Sequence, residues 1–244
     1  MPLCFNDYLG LHSQMTACEW MSLQYILAGL RPKRAIEVGT YKGGSLQVLA
    51  HFCEHVASID IDSSVPDALA GQFTNVTFYT GNSAELLPSV LQSNVQDRKP
   101  VGFVLIDGDH STEGVRRDIN ALLSVPPSAD MVVLMHDAFN PDCRAGILSA
   151  DWELCPYVHE VEIDYIPGVY HQQAYDTAAP RTMWGGFACA LLKPESRKGD
   201  LVISQRQQGL FDAVRLQSSH APQQRNLFQR AKARVRTLIK RVTR

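Results

Sequence analysis

A glycine-rich turn between a buried strand and a helix constrains this fold more than any other stretch of the chain. Residues 34–45 read RAIEVGTYKGGS, in which an apolar run ends at Val38 and a helix begins after the glycines. Gly39, Gly43 and Gly44 place three residues without a Cβ in one short loop, so the backbone can turn sharply and a ligand can approach its N–H groups. We therefore predict a ligand-binding strand–turn–helix unit here.

The spacing of these glycines separates the turn from two common nucleotide loops. It is G-x-x-x-G-G, whereas dinucleotide-binding domains use G-x-G-x-x-G and phosphate loops use G-x-x-x-x-G-K-[ST]. Glu37 stands two positions before the first glycine, where its charge would repel a phosphate and attract a cation. The turn therefore suits a ligand that carries an ammonium or sulfonium group better than a polyphosphate.

Strands and helices alternate along the chain beyond this turn, and five apolar strands end near residues 38, 60, 79, 106 and 135. Such alternation predicts a parallel sheet, because right-handed crossovers place a helix between neighbouring strands. After a helix near residues 145–152, strands near 157–163 and 186–192 predict an antiparallel pair, joined by a loop that could cover the site. The predicted fold class is α/β: a doubly wound, mostly parallel Rossmann-like sheet with an antiparallel C-terminal edge pair and helices on both faces.

The predicted parallel strands lead into acidic or amide residues at their carboxyl ends, which is the edge where open α/β sheets bind ligands. These residues are Glu37 in strand one, Asp60 in strand two, Gly81-Asn82-Ser83 after strand three, Asp107-Gly108-Asp109-His110 after strand four and His136-Asp137 after strand five. Considered singly, Glu37 could be a helix-terminal charge and Asp60 a strand-end turn. Their joint occurrence in this order favours a functional site.

In these motifs the chain resembles the class I S-adenosylmethionine-dependent methyltransferases. The resemblance is narrower to a branch with D-G-x-H-[ST]-x-E after strand four and H-D after strand five, and it covers residues 30–192. It is carried by the stretches IEVGTYKGGS, IDGDHSTEGVRRDI and MHDAF. Similar proteins include O-methyltransferases that act on catechols and on sugars of natural products. The resemblance implies S-adenosyl-L-methionine as cofactor and O-methylation of a small hydroxylated acceptor, such as a sugar or natural-product intermediate.

The resemblance also implies roles for individual residues in binding the cofactor. The carboxylate of Asp60 would accept the ribose hydroxyls, with Asp62 as the second candidate, and residues 81–83 would line the adenine pocket. Glu37 and the turn would hold the methionine end. The predicted cofactor-binding residues are Glu37, Gly39, Thr40, Gly43, Gly44, Ser45, Asp60, Asn82, Ser83 and Asp107.

Methyl transfer to a hydroxyl group requires alignment of the reactants and removal of a proton. Asp109, His110 and His136 are the candidates for the catalytic base, although Asp109 and His110 could instead cap the helix that follows. By resemblance, Asp107 and Asp137 would be ligands of Mg²⁺. His136 stands where several relatives have an acidic residue and is the third candidate ligand, in a pocket that could hold Mn²⁺ or another transition metal. An imidazole is a poor Mg²⁺ ligand. The alternative of no metal, with His136 as an acid–base group, therefore stays open.

Composition separates the chain into a body and a basic tail. The net charge is −2, yet residues 225–244 contain eight Lys and Arg and no acidic residue. We predict a methyltransferase domain over 1–193 that includes an N-terminal helix near 16–31, a polar linker or loosely packed segment over 194–224, and a basic amphipathic helix over 225–244. The apolar stripe of the tail suits docking on the acidic body or on another subunit, and its basic residues suit an anionic membrane surface. We expect a homo-oligomer and no nucleic-acid partner.

Several further expectations concern location and surface. Six scattered cysteines and the lack of a signal-like N-terminus or a long apolar run predict a cytoplasmic protein, with the tail able to reach the inner face of a membrane. On the helix after strand four, Glu113, Arg116, Arg117 and Asp118 predict surface charge pairing.

Two other functions compete with methyl transfer. They are a cephalosporin-hydroxylase-like oxygenase and a non-catalytic adapter in a carbohydrate-assembly or membrane-associated complex.

Overall fold

A computed structural model describes residues 10–175 and 178–221 of the chain. The predicted basic helix over 225–244 lies outside these residues. Among the helices of the described part, none combines the length and apolar character that a membrane span requires.

Seven α-helices and ten strands make up the described fold. Their order is α1 (Ala17–Leu30), β1 (Arg34–Val38), α2 (Gly44–Phe52), β2 (His55–Asp60), α3 (Val65–Ala68), β3 (Val76–Thr80), α4 (Ser83–Gln96), β4 (Phe103–Ile106), α5 (Thr112–Leu123), β5 (Met131–His136), α6 (Pro141–Leu148), β6 (Val158–Ile166), β7 (Val169–His171), β8 (Thr182–Trp184), β9 (Phe187–Leu192), β10 (Ile203–Ser204) and α7 (Gln208–Arg215). A 3₁₀ turn at Trp152–Leu154 precedes β6.

The main sheet has eight strands in the order β10-β6-β9-β5-β4-β1-β2-β3. Strands β1 to β5 are mutually parallel, and β9 is antiparallel to both β5 and β6. The predicted fold class and the antiparallel pairing near the C-terminus are confirmed. The edge position, however, belongs to β10, which pairs in parallel with β6.

The core lies on both faces of the sheet because side chains alternate along each strand. In β1, Ile36 packs with the cluster that includes Ile119 of α5, whereas Ala35 packs with the cluster that includes Leu23 of α1 and Leu46 of α2. Strands covered on both faces read as continuous apolar runs. Because β1 to β5 run parallel, their polar carboxyl ends lie together at one edge of the sheet.

Residues 194–221, predicted as a polar linker or loosely packed segment, contain β10 and α7. Phe211 of α7 is buried, and its ring lies 5.7 Å from that of Phe139, centroid to centroid. Met183 completes this small apolar cluster. The sequence of this segment is mostly polar because only one large side chain of α7, that of Phe211, is buried. This composition led to the prediction of a linker. The predicted loop after β6 likewise contains structure, because β7 and β8 pair as a separate antiparallel sheet.

Candidate active site

The glycine turn joins the ends of three adjacent strands. Gly39 has a left-handed backbone, with φ of 85°, and its N–H donates to the carbonyl of Ile59 at 2.9 Å. The Asp107 N–H donates to the Val38 carbonyl at 2.8 Å. A Cβ at position 39 would collide with the backbone carbonyl of Asp107. Only glycine fits here because both the backbone angle and the close approach exclude a side chain.

Glu37 lies directly beneath the turn and is completely buried. Its carboxyl group accepts hydrogen bonds from the hydroxyls of Ser45 at 2.5 Å and Thr40 at 3.0 Å, and the Thr40 hydroxyl also lies 2.6 Å from that of Ser58. Burial raises the pKa of Glu37 to about 8. Glu37 therefore shapes the turn from within through side-chain hydrogen bonds.

Asp60 faces the turn from the end of β2. One carboxylate oxygen accepts the N–H groups of Thr40 at 2.8 Å and Tyr41 at 2.9 Å, and the other accepts the N–H of Asp62 at 2.9 Å. Asp62 instead bonds the backbone and side chain of Ser64. Of the two candidates for the ribose contact, Asp60 is thus the one that touches the glycine turn.

The segment before α1 crosses over the same turn, which the sequence did not suggest. The side-chain amide of Gln47 donates to the Leu11 carbonyl at 2.9 Å and accepts from the Leu11 N–H at 3.2 Å. A Cβ at Gly44 would lie 2.5 Å from the carbonyl oxygen of His12, and one at Gly43 would lie 2.9 Å from the Leu11 side chain. Gly43 and Gly44 therefore face this N-terminal segment.

The predicted adenine side of the site is built on the start of α4. Asn82 caps this helix by accepting from the Ala84 N–H at 3.0 Å, and the Ser83 hydroxyl donates to Asp118 at 2.6 Å. Asp118 is buried, not on the surface as predicted, and burial raises its pKa. The surface pair in α5 is Glu113 with Arg116, at 2.8 Å.

The inward orientation of Asp118 has a sequence signal. The buried positions of α5 follow helical spacing at Gly114, Val115, Asp118, Ile119 and Leu122, so residue 118 belongs to the apolar stripe of the helix. Its neighbours Arg116 and Arg117 suggested a surface charge cluster, but they lie on other faces because residues one or two apart do not share a face.

Two histidines and two aspartates meet where β4 and β5 end side by side. Asp107 Oδ1 lies 3.0 Å from His136 Nδ1 and 3.4 Å from His110 Nε2. Asp137 Oδ2 lies 3.1 Å from His110 Nε2 and 3.6 Å from His136 Nδ1. The parallel pairing of Ile106 with Met135 places residues 107 and 136 next to each other. We call these four side chains the His–Asp cluster.

Opposite charges shift the pKa values within the His–Asp cluster. Hydrogen bonds that His110 donates to the carboxylates of Asp107 and Asp137 raise its pKa to about 10. Burial alone would lower the pKa of His136, but the same two carboxylates raise it well above its ordinary value. Burial also opposes ionisation of Asp107, yet the charges and hydrogen bonds of the two histidines lower its pKa to about 2. The carboxylates of the cluster therefore favour the protonated form of both histidines.

Asp109 lies outside the His–Asp cluster although it is one residue from His110. Its side chain accepts from the Ser111 N–H at 2.8 Å and lies 3.6 Å from Arg117, and about half of it is exposed. The Ser111 hydroxyl accepts from the Gly114 N–H at 3.0 Å and caps α5. Asp109 thus makes the contacts of the helix-cap alternative, whereas His110 makes contacts of the predicted site.

Glu19 is a member of the site that was not predicted from the sequence. It is 1% exposed, and its Oε1 lies 3.3 Å from His136 Nε2. The sequence contains its local signal, because Thr16-x-x-Glu19 is a capping box at the start of α1. A capping box predicts a helix start only. The contact with β5 depends on how α1 lies against the sheet.

Comparison with known proteins agrees with this architecture. Residues 36–138 match a family model described as a methyltransferase domain. Over these residues the chain is similar to methyltransferase domains. Among curated proteins, none matches the chain by sequence. The predicted resemblance to methyltransferases is confirmed over residues 36–138.

Three solved structures illustrate the likeness in fold. The cofactor-bound Rv0187 protein from MTB has a TM-score of 0.53 and 18% identity, covering 77% of this chain and 85% of its own. An O-methyltransferase from Bacillus cereus in complex with SAH has a TM-score of 0.51 and 16% identity, covering 73% and 82%. The O-methyltransferase TomG from Streptomyces achromogenes, in complex with SAM, has a TM-score of 0.51 and 17% identity, covering 73% and 81%. At these identities the likeness establishes the fold.

Proposed function

We propose that the protein is an S-adenosylmethionine-dependent O-methyltransferase that acts on a small hydroxylated acceptor, such as a sugar or a natural-product intermediate. The observation that carries the proposal is the position of His110. Its imidazole is 45% exposed at the carboxyl edge of the methyltransferase sheet, and Asp107 and Asp137 hold Nε2 at 3.4 and 3.1 Å. A base for a hydroxyl proton needs this combination of access and fixed orientation. His110 must also be neutral to accept the proton, so in this proposal the positive charge of a bound sulfonium group or metal ion offsets the two carboxylates that raise the pKa of His110.

His110 is a better candidate for the base than the two other predicted residues. The side chain of His136 is 7% exposed, and carboxylates lie against both of its ring nitrogens. Asp109 is exposed but turned toward α5. His110 also lies edge-on to Trp184, with ring centroids 5.6 Å apart. An aromatic wall of this kind suits a flat or sugar-like acceptor, because such surfaces stack on rings.

Cofactor binding in this proposal uses the glycine turn and Asp60. Three N–H groups already donate to the Asp60 carboxylate, and an ionised carboxylate offers about four acceptor sites. Asp60 can therefore accept about one ribose hydroxyl without losing a contact to the turn. This is a narrower role than the predicted acceptance of both hydroxyls.

The residues of the His–Asp cluster fit a divalent metal. Asp107, His136 and Asp137 each offer one ligand atom, and these atoms lie within 4.8 Å of one another. Neighbouring ligands of an ion with bonds of about 2.1 Å are roughly 3.0–3.4 Å apart, close to the observed nitrogen–oxygen distances of 3.0 and 3.6 Å. The imidazole favours Mn²⁺ or another transition metal over Mg²⁺. A bound metal would supply Lewis-acid activation of the acceptor hydroxyl.

Calorimetry with S-adenosylmethionine and S-adenosylhomocysteine is the first test of this proposal. We expect one site per chain. Asp60→Ala should weaken binding by about tenfold or more, the value of one hydrogen bond to a charged group. Asp62→Ala is the matched control, because Asp62 bonds Ser64 and not the turn. Folded wild-type protein that binds neither ligand would refute the proposal.

The role of His110 is tested by His110→Gln. We expect this variant to keep its affinity for S-adenosylhomocysteine and to lose methyl transfer to every acceptor in a panel of catechols, phenols and glycosides that the wild type methylates. A loss of about 10²–10⁴-fold is typical of general-base removal. Unchanged transfer would exclude His110 as the base.

The metal is a separable part of the proposal. We expect the purified protein to retain one equivalent of a transition metal after dialysis, measured by elemental analysis, and Asp137→Asn to lose it. Full methyl transfer after exhaustive chelation would remove the metal from the mechanism.

The methyltransferase-domain match favours methyl transfer over the oxygenase and adapter alternatives.

A further inference from the structure

We propose that Glu19, in the first turn of α1, is a positioning residue of the active site. It orients the imidazole of His136 directly, and it orients the carboxylate of Asp137 through the turn at Gly185–Gly186. The inference rests on the proposed function only in assigning these groups to methyl transfer. The contacts themselves are geometric and can be tested without an acceptor.

Each oxygen of the Glu19 carboxylate has a different task. Oε2 accepts the N–H of Thr16 at 2.6 Å, which completes the capping box of α1. Oε1 accepts the N–H of Gly186 and lies 3.3 Å from His136 Nε2. A buried carboxylate is costly unless donors compensate it. Helix capping accounts for Oε2 and the Gly186 N–H satisfies Oε1, so the close approach of Oε1 to His136 needs a further explanation.

His136 supplies that explanation, because its ring lies between two carboxylates. Asp107 Oδ1 is 3.0 Å from Nδ1, and Glu19 Oε1 is 3.3 Å from Nε2. The ring of Phe187 lies 5.2 Å away, centroid to centroid. The contact with Glu19 is not aligned as a hydrogen bond, and Nε2 has no other hydrogen-bond partner among the described residues. Glu19 Oε1 is therefore the polar atom that faces Nε2 and limits rotation of the buried ring.

The turn between β8 and β9 connects Glu19 to Asp137. Gly185 and Gly186 have left-handed backbones, with φ of 73° and 78°. Their consecutive N–H groups donate to different carboxylates: Gly185 to Asp137 Oδ1 at 2.5 Å, and Gly186 to Glu19. A Cβ at Gly185 would collide with Glu19 Oε1. A shift of Glu19 would therefore move the turn that holds Asp137.

This arrangement makes α1 part of the active site. The helix and the strand ends are far apart in sequence, since 167 residues separate Glu19 from Gly186. Leu11, six residues before the start of α1, is bonded to Gln47 beside the glycine turn. The segment before α1 thus contacts the predicted cofactor loop, and Glu19 of α1 contacts the His–Asp cluster. Glu19 is the residue of α1 that connects this helix to the predicted catalytic residues.

The test compares Glu19→Ala and Glu19→Gln with Thr16→Val in the full chain. The Thr16 hydroxyl accepts from the Glu19 N–H at 3.3 Å, so Thr16→Val weakens the cap but leaves the carboxylate contacts in place. The readout is nitrogen NMR of histidine-labelled protein, with His136 assigned by its absence in His136→Gln. In the wild type we expect a protected proton on Nε2 of His136.

We expect Glu19→Ala to lose the protected Nε2 proton and Thr16→Val to keep it, although both should lower the melting temperature. Glu19→Gln retains an oxygen for Gly186, so it should fold, but a carboxamide oxygen is a weaker acceptor than a carboxylate oxygen and should reduce the protection at Nε2. Phe187→Leu, which alters the ring's neighbour without altering charge, should keep the signal. Protection that survives in both Glu19 variants, or that is equally lost in Thr16→Val, would overturn the proposal.

Two further measurements separate this inference from the proposed function. Binding of S-adenosylhomocysteine to Glu19→Gln should stay within about threefold of wild type, while kcat with any methylated acceptor falls by tenfold or more. If the wild type binds no S-adenosylhomocysteine, the proposed function fails, but the NMR comparison still decides whether Glu19 positions His136. If binding and kcat are both unchanged in Glu19→Gln, the positioning role fails alone.

Discussion

At the scale of single residues, buried carboxylates are the main structural feature of this site. Glu19 and Glu37 are almost completely buried, and Asp118 and Asp137 are buried close to the same sheet edge. Each is stabilised differently: Glu37 by hydroxyls, Asp137 by a backbone N–H and His110, and Asp118 by one serine. Glu37, whose carboxyl group has hydroxyl partners and a raised pKa, offers the clearest test of ionisation.

We predict that Glu37→Gln stabilises the protein at pH 8 and has less effect at pH 5. Burial raises the pKa of Glu37 to about 8 from its ordinary 4.5, so the folded protein holds a proton that the unfolded chain releases between these values. Its contribution to stability is complete below pH 4.5 and is lost as the pH rises through 8. Glutamine stays neutral and escapes this loss.

Urea unfolding at both pH values measures this difference. Glu54→Gln, at an exposed position, is the control and should show the same small effect at pH 5 and pH 8. A Glu37→Gln variant that is less stable than the wild type at pH 8 would show that the carboxylate is ionised and that its hydrogen bonds to Ser45 and Thr40 outweigh the burial cost.

Residue-scale prediction from the sequence was strongest where a local pattern requires one residue type. The acids and histidines at strand ends were identified because they occur where parallel strands leave the sheet. Asp107, His110, His136 and Asp137 do meet at that edge. The sequence could not show which of His110 and Asp109 faces the site. The direction of each side chain after a strand depends on the backbone path of the loop, which no local pattern specifies.

At the scale of elements, the strand–turn–helix unit from β1 to α2 depends on close backbone contact. We predict that Gly39→Ala destabilises the protein by roughly 2–4 kcal/mol, through left-handed strain of about 1–2 kcal/mol and a collision with the Asp107 carbonyl. It should also weaken S-adenosylhomocysteine binding, since relief of the collision moves β1 away from β4.

Gly71→Ala separates the two costs of the Gly39 substitution. Gly71 also has a left-handed backbone, with φ of 73°, but a Cβ there meets nothing within 4 Å. This variant should lose only the strain energy and keep full ligand binding. If urea unfolding shows equal destabilisation of the two variants, then the collision of a Cβ at position 39 with the Asp107 carbonyl adds no cost to the backbone strain.

Element boundaries followed capping residues more closely than apolar spacing. The helix predicted near 145–152 is α6 at Pro141–Leu148, because the side chain of Asn140 accepts from the N–H groups of Asp142 and Cys143. Pro141 at the first helical position is a further start signal. Both signals are present in the sequence, so this boundary was predictable from capping chemistry.

At the scale of the whole molecule, a buried ion pair connects the C-terminal segment to the sheet. Arg144 of α6 forms two hydrogen bonds with Asp164 of β6, at 2.8 and 3.3 Å, and a third with Gln208 of α7 at 2.9 Å. The Gln207 N–H donates to Asp164 at 2.8 Å, and the Arg144 guanidinium lies 4.5 Å from the centre of the Phe211 ring.

We predict that Arg144→Met costs about 3–5 kcal/mol, because it leaves the Asp164 carboxylate buried without its partner. The double variant Arg144→Met with Asp164→Leu should be more stable than Arg144→Met alone, since no unpaired charge remains. Urea unfolding measures both. Hydrogen exchange in α7 should accelerate in the single variant. Unchanged exchange there would show that α7 is held independently of this pair.

Sequence alone determined the order of the strands and helices, the glycine turn and the edge of the sheet where polar residues gather. These features depend on periodicity and on residues within a few positions of one another, so a single chain segment contains the information. Tertiary structure decided the roles of Glu19 and Asp118, the crossing of Leu11 over the turn, and the packing of residues 194–221. Each of these depends on contacts between distant segments, such as the 167 residues between Glu19 and Gly186, and no local pattern specifies which buried groups a fold brings together.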